Sequence, residues 1–502
     1  METWSWYNMY LVWLAGFGIF ASAYNMAVIS STLGQPTFYS YLGLTMGTSH
    51  TTSVTSTANA LYFLGSFVSC CVITAIGDRV GRKKTIWISL SFIILGSALQ
   101  TGTRTVAMYQ VSRVITGMGT GSLFSTVPVY QSEISPPHFR GFLVGQAGVF
   151  SAGGYSLASW VGYGCYFASD KGTFGFRFPI SVGCMLAVVM LGLSFILPES
   201  PRWLIEHGHE DEGIRLLSRL HPDRDSANSD HFARLESIEI KKQYELDQSI
   251  RQREGKFGII TRKSNLKRLF FSCFILWSSQ AMGILVINNY SVQLYNALGY
   301  TGSRALLLGA GWISVTIPFN AVAPFLIDRL GRKTMFLIGS FLLCVCVAGE
   351  GALLKKFTDT GNDAYARGAI FFLYFFAFSY GTFIDAASWV YAAEIWPNHN
   401  RGMGNGIAFA AAYASTICWT QSAPIGFENI GWKFYMVFVA NAILCFLVVL
   451  FLYPETRNLP LEEIPKLFGD EIAYEDIHLA DTAGDKVEEP EVLTEQPKAL
   501  DA

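Results

Sequence analysis

A few polar side chains stand inside long apolar stretches, where each is costly and so needs a reason. Asn25 is the lone amide of AYNMAVISS, residues 23–31. Arg113 opens the run RVITGMGTGS, and Asp385 lies inside another run, one helical turn before Trp389. SQAMGILVINNYS, residues 279–291, adds the amides Gln280, Asn288 and Asn289. An intramembrane acid can carry a proton, accept a hydrogen bond from a substrate hydroxyl, or pair with a base. An amide cannot titrate, but it donates and accepts hydrogen bonds, to a solute or to a neighbouring helix. A second group of charges sits in short loops. Asp78 and Arg82 belong to GDRVGRKKT (77–85), and Asp328 and Arg332 to IDRLGRKTM (327–335). Glu133 and Arg140 belong to EISPPHFRG (133–141), and Glu394 and Arg401 to EIWPNHNRG (394–402). Glycine lets the chain turn sharply there, and Arg–carboxylate pairs can bridge adjacent helix ends. Pairs of that kind act as a gate: they hold loop ends together and break when the ends part.

The elements that must position these groups are membrane helices. The chain is 51% hydrophobic and 15% charged, with mean hydropathy +0.33, whereas a soluble domain carries about 25% charged residues. Twelve apolar stretches are each near the length a helix needs to cross a bilayer: about 9–33, 56–77, 85–103, 106–130, 142–167, 178–197, 269–297, 304–327, 335–354, 368–393, 403–424 and 432–453. Tyr and Trp recur at their ends, as interfacial anchors do. The expected fold is an all-α membrane protein with twelve transmembrane helices. Residues 1–197 form one six-helix half and 269–453 the other. Residues 198–268 make a polar linker with amphipathic helices, including an apolar face at Ile214, Leu217 and Leu220. Residues 454–502 form an acidic tail that reads as disordered.

Basic residues orient the chain. They gather after the second and eighth spans and in the linker, while the 34–55 loop has none, which places both termini and the linker in the cytoplasm. The motifs also repeat. The D-R-x-G-R loops lie 250 residues apart, the E-x6-R loops 261, and PESPRWL (198–204) and PETRNLP (454–460) 256. Three motifs recurring in order after corresponding spans mark a duplication of six helices. The even number gives both halves the same orientation.

Other chemistry is excluded. The nine cysteines show no C-x-x-C pair and no His spacing for a metal, so they read as small packing residues. Gly117, Gly119 and Gly121 follow no strand and mark close helix packing, not a nucleotide loop. No nucleophile–base constellation appears, so the chain is not expected to be an enzyme, and no cofactor, metal or nucleic acid is expected. The start METWSWYNMY lacks the basic region of a secretory signal.

The motifs resemble those of the sugar porters of the major facilitator superfamily, most of all the fungal members. The residues that carry the resemblance are RVITGMGTGSLFSTVPVYQSEISPPHFRG (113–141), GYGCYF (162–167), PESPRWL, VYAAEIWPNHNRG (390–402), ENIGWKFYMVF (428–438) and PETRNLPLEEI (454–464). It spans roughly residues 10–465. The resemblance implies two pseudo-symmetric six-helix halves, a central site at mid-membrane, and alternating access by rocking of the halves. It implies a sugar-like solute, a monomer in the lipid bilayer, and location in the plasma membrane. It makes the loop ion pairs a latch favouring the outward-open state.

Its sugar-contact pattern transfers to few positions. Gln280 and Trp389 match. Elsewhere Ser279, Leu285, Thr316, Ala412 and Gly148 stand where the family has amides, with Asn320 one turn after Thr316. Asn289–Tyr290 stands for a Tyr pair, and Tyr413 for a Trp. The candidate contacts are therefore Gln280, Asn288, Asn289, Asn320, Asp385, Trp389 and Tyr413. In proton-coupled members an Asp in the first span pairs with the Arg that corresponds to Arg113. Asn25 stands at that Asp, as it does in glucose uniporters of the family. Facilitated diffusion follows, with Asn25 keeping a hydrogen bond toward Arg113. Proton coupling through Asp385 stays open, as does export of a small metabolite on the same scaffold.

Overall fold

A computed structural model describes residues 6–45, 48–135, 143, 145–168, 172–220, 258–457 and 464–469, with scattered positions between 233 and 249. Arg140 and the side chains of Asp78 and Asp328 lie outside the described residues, as does most of the acidic tail.

Among the described residues there are twelve long helical rods and no strand. In the first half they are α1 (Trp6–Leu33), α2 (Ser49–Val80), α3 (Arg82–Thr101), α4 (Val106–Ile134), α5 (Ala147–Tyr166) and α6 (Phe174–Ser194). In the second, α7 runs in three consecutive pieces, Lys263–Ala281, Ile284–Asn289 and Ser291–Ala297. It is followed by α8 (Ser303–Leu330) and α9 (Arg332–Thr360). Helix α10 starts at Asp363–Ser379, widens into a π-helical turn at Tyr380–Asp385 and ends at Ala386–Glu394. Helices α11 (Asn398–Ile430) and α12 (Tyr435–Leu452, after a 3₁₀ turn) complete the bundle. Most rods run a few residues beyond the apolar stretches read from sequence, because helix ends continue into the polar interface.

Among the described residues eight stretches are long and apolar enough to cross a membrane; they cover α1, α2, α6 to α10 and, as one stretch, α11 with α12. The packed faces of α3, α4 and α5 are small and polar, with Ser89 and Ser97, Thr116 and Thr120, Gly154 and Ser156. On the outer surface large apolar side chains such as Met185, Phe325, Phe341, Phe371 and Phe451 are exposed. In water such a belt is a liability; against lipid tails it is the ordinary surface.

The glycines of α4 explain its position. A methyl at Gly117 would overlap the Tyr62 carbonyl of α2, one at Gly121 would strike Ser66 of α2, and one at Gly119 would strike Ser89 of α3. Three absent side chains let two backbones pass close on either side of one helix, as small residues do in membrane bundles.

Packing repeats between the halves. Helix α1 packs on α5 as α7 packs on α11, α2 on α4 as α8 on α10, and α3 on α6 as α9 on α12. The halves meet along α2 against α11 and α5 against α8. Segments beyond the rods stay with their own half. The helices Pro201–Glu206 and Glu210–Leu220 bury Leu204, Leu216 and Leu220 against the first half. The turn Ile464–Phe468 sets the Phe468 ring 4.8 Å from the buried Arg268 guanidinium of α7.

Candidate functional site

The repeated loop motifs build one ionic cluster in each half. After α2 the chain turns at Gly81, with φ +90°, straight into α3; after α8 it turns at Gly331, with φ +89°, into α9. That left-handed geometry belongs to glycine. At the first turn of α3, Arg82 binds Glu133 of α4 through Nη2 at 2.9 Å and Nε at 3.2 Å. In α9, Arg332 binds Glu394 of α10 through Nη2 at 2.8 Å and Nε at 3.1 Å. A two-pronged contact of this kind uses the planar fork of arginine. A second acid completes each cluster. Glu199 accepts from the Arg82 and Lys83 amides at 2.8 and 3.1 Å, and Glu455 from the Arg332 and Lys333 amides at 3.0 and 3.1 Å. Each therefore sits on a helix N-terminus, where backbone N–H groups and the helix dipole favour an anion.

The sequence expectation named Arg82, Glu133, Arg332 and Glu394 but not Glu199 or Glu455. Their signal was present in the repeated PES and PET, each following the last rod of a half. Each observed pair lies within one half and braces it. Arg401 donates to the Trp396 carbonyl at 3.3 Å, within its own loop.

At the opposite end hydrogen bonds cross between the halves. Ser30 of α1 meets Ser291 of α7 at 3.1 Å, and Trp160 of α5 donates to Ser314 of α8 at 2.9 Å. Asn289 donates to Asn59 of α2 at 3.4 Å, Asn59 donates to Tyr290 at 3.4 Å, and Tyr290 donates to the Thr420 carbonyl at 2.8 Å. Asn289 is thus a cross-half link. Helix α7 brings it there by breaking at Gly283 (φ +97°) and again at Tyr290, a discontinuity that apolar periodicity does not reveal. Asn288 is buried beside it, and Gln280 lies just before the first break.

Between the two ends lies an aromatic box. Met26 of α1, Tyr62 and Phe63 of α2 and Tyr413 of α11 pack together with Tyr155 of α5, Leu285 of α7 and Phe409 of α11. Tyr413 stacks on Phe63 at 6.4 Å, and Phe409 stacks on Trp389 of α10 at 4.6 Å. The π turn ends at Asp385, whose Oδ1 accepts from Trp389 Nε1 at 3.1 Å. Such turns re-aim side chains and recur at functional sites. Trp389 thus touches both Asp385 and Phe409, and Tyr413 stands one turn beyond Phe409 on α11. Gln280 donates to Ser279 at 3.3 Å and its Oε1 is buried without a partner among the described residues. Asn320 stands apart, between Gly148 of α5 and Gly381 of α10, with Nδ2 on the Thr316 carbonyl at 3.2 Å and Oδ1 unpartnered.

Asn25 does not face Arg113 as expected. Its Nδ2 donates to the Ala21 carbonyl at 2.9 Å and the Gly183 carbonyl at 3.2 Å, while Oδ1 accepts from Ser97 at 2.8 Å. Both ends of the amide are thus taken by α1 itself, α6 and α3. Arg113 instead reaches the Asn25 backbone carbonyl at 3.5 Å and lies under Tyr62, 4.1 Å from the ring centre. It is fully buried, with Nε and Nη2 unpartnered among the described residues. Sequence reading also passed over Glu350 of α9, a buried acid that accepts from Tyr435 of α12 at 2.7 Å; it stands at the edge of its apolar run.

Two six-helix halves, each braced by ion pairs at one end and joined by hydrogen bonds at the other, enclose the central aromatic cluster. The chain belongs to the family described as Sugar (and other) transporter, whose model matches residues 11–468. It is 34% identical to the MFS-type transporter criB of Aspergillus cristatus over 91% of this chain and 92% of that protein. It is 29% identical to a high-affinity glucose transporter of Kluyveromyces lactis over 93% and 86% of the two chains. Its fold matches the proton:xylose symporter XylE bound to 6-bromo-6-deoxy-D-glucose with TM-score 0.77, at 21% identity over 93% of this chain and 100% of that one. The protein is a multi-pass membrane transporter of the sugar type, not an enzyme.

Proposed function

We propose that this transporter moves a sugar or sugar-like solute by alternating access, and does so by facilitated diffusion rather than proton symport. The observation that carries the second half is the environment of Arg113. A buried guanidinium that switches with pH needs a titratable partner. Here Arg113 has a ring face and a backbone carbonyl, and the side chain at position 25 is an amide occupied elsewhere. The proposed arrangement has the protein in the plasma membrane as a monomer, with both termini and the ionic clusters cytoplasmic.

Uptake into proteoliposomes is expected to be saturable and indifferent to a protonophore. Asn25→Asp should make it pH-dependent. An acid at position 25 would face the Ala21 and Gly183 carbonyls where an amide now donates, so its charged form must swing toward Arg113. Uptake of that variant between acidic and alkaline buffer checks this; a flat profile at normal expression counts against it.

One observation supports a second reading. Asp385 is an intramembrane carboxyl with the Trp389 indole as its one donor among the described residues, so a proton could be coupled there instead. Strong protonophore inhibition, abolished in Asp385→Asn, would favour that route. Net flux outward, as for an exporter, is read by counterflow in the same vesicles.

A further inference from the structure

The first piece of α7 sets two lysines on its outward side. Lys263 and Lys267 stand one turn apart, both exposed, and neither is paired with an acid among the described residues. At helical spacing the same side continues with Leu266, Phe270, Phe274 and Trp277. Leu266, Phe270 and Trp277 are exposed, and Phe270 stacks on Phe274 at 5.7 Å. A groove of about 620 Å³ runs along this side, with Lys263, Leu266, Lys267, Phe270 and Cys273 among its lining residues. Arg268 takes the other side, buried against the Phe468 ring. From Leu269 to Ala297 the chain has no further charge. The two ammonium groups thus head an apolar stripe. From Lys267 to Trp277 the helix rises about 15 Å, half of a hydrocarbon core roughly 30 Å thick.

The duplication supplies a comparison inside the molecule. Helix α1 is the counterpart of α7 and has no Lys or Arg in Trp6–Leu33. The lysine pair is therefore not a requirement of the shared architecture. Two ammonium groups above an apolar stripe fit a ligand of the same build, an anionic head on an apolar chain. A free inorganic anion would meet the lysines and leave the stripe unused. A zwitterionic lipid would cover the stripe and offer the lysines no net charge.

Resting on the orientation proposed above, which puts this end of α7 in the cytoplasm, we infer that the outward side of α7 binds an anionic phospholipid of the cytoplasmic leaflet. Its phosphate lies between Lys263 and Lys267, and one acyl chain follows Leu266, Phe270 and Trp277 toward mid-membrane. The lipid then lies on the helix whose far end carries Asn289 to its link with Asn59.

The purified full chain is titrated in detergent with phosphatidylserine and with phosphatidylcholine, and bound lipid is counted by native mass spectrometry. Phosphatidylserine is expected to bind about tenfold or more tighter. Lys263→Gln combined with Lys267→Gln should erase that preference, while Lys242→Gln, at an exposed lysine of the linker, should leave it. Phe270→Ser should weaken both lipids. Inorganic phosphate, which has the charge and no chain, should not displace phosphatidylserine; displacement at equal concentration overturns the lipid assignment. Equal binding of the two lipids, or a preference that survives the double variant, overturns the inference and leaves the carrier reading standing, since uptake is measured separately in phosphatidylcholine vesicles. Protease access to a C-terminal tag in sealed cells reads the orientation on its own, and a tag facing outward overturns both the orientation and the leaflet assigned here.

Discussion

Gly117→Ala is expected to strip most of the folded protein from the membrane. A single methyl there meets the Tyr62 carbonyl, a backbone atom that cannot turn away as a side-chain tip would. Overpacking in a tight core costs about 1–3 kcal/mol and more where the neighbour is rigid. If α2 yields instead, the Tyr62 ring leaves the Arg113 guanidinium, which then loses its packed face in the bundle interior. The same exchange at Gly164 serves as the control, since a methyl there meets nothing within 4 Å. Fluorescence-detected gel filtration and thermal melting in detergent separate the two. Equal melting of the two variants would sink the close-packing account of α4.

Arg82→Ala and Arg332→Ala are expected to cut uptake at least about tenfold at normal expression, each by unbracing its half. Each removal leaves a mostly buried carboxylate, Glu133 or Glu394, without its two-pronged partner. The loss is about 2–4 kcal/mol, the buried-pair figure reduced for the side chains' partial exposure. Arg→Lys should rescue poorly, because an ammonium offers one point charge in place of two parallel N–H donors. The exchanged pair Arg82→Glu with Glu133→Arg should recover part of the activity. Its recovery is limited, because the new acid at position 82 stands close to Glu199. Full uptake by Arg82→Ala would mean the cluster serves topology alone.

Much of this was legible in sequence, and the reasons are physical. Apolar length and charge clustering mark helices, because the bilayer penalises anything else, and the repeated loops exposed the duplication. Arg82, Glu133, Arg332 and Glu394 were readable as gate candidates because opposite charges flanked rigid helix ends, but which arginine meets which glutamate was not. Three things were not. Asn25 was placed beside Arg113 by alignment alone, yet its amide is satisfied by carbonyls of Ala21 and Gly183 that no pattern in the sequence announces. The breaks in α7 and the π turn in α10 depend on tertiary packing, with Phe438 lying against Gly283, so apolar periodicity ran through both. The aromatic box draws one or two residues from each of α1, α2, α5, α7 and α11, each of which alone reads as ordinary helix core.

The Arg–Glu brace inside each half has a further consequence, for how the chain can be assembled. Glu199 and Glu455 return the end of each six-helix set to the start of its own third helix. No covalent join between the halves is needed to complete either brace. Two fragments, one ending after Leu220 and one beginning near Gly258, should therefore find each other when made together, recognising one another along the α2–α11 and α5–α8 seams. Co-purification of the tagged first fragment with the second, with uptake restored only in the pair, is the expected result. A carrier built this way is a dimer of modules that happens to be translated as one chain.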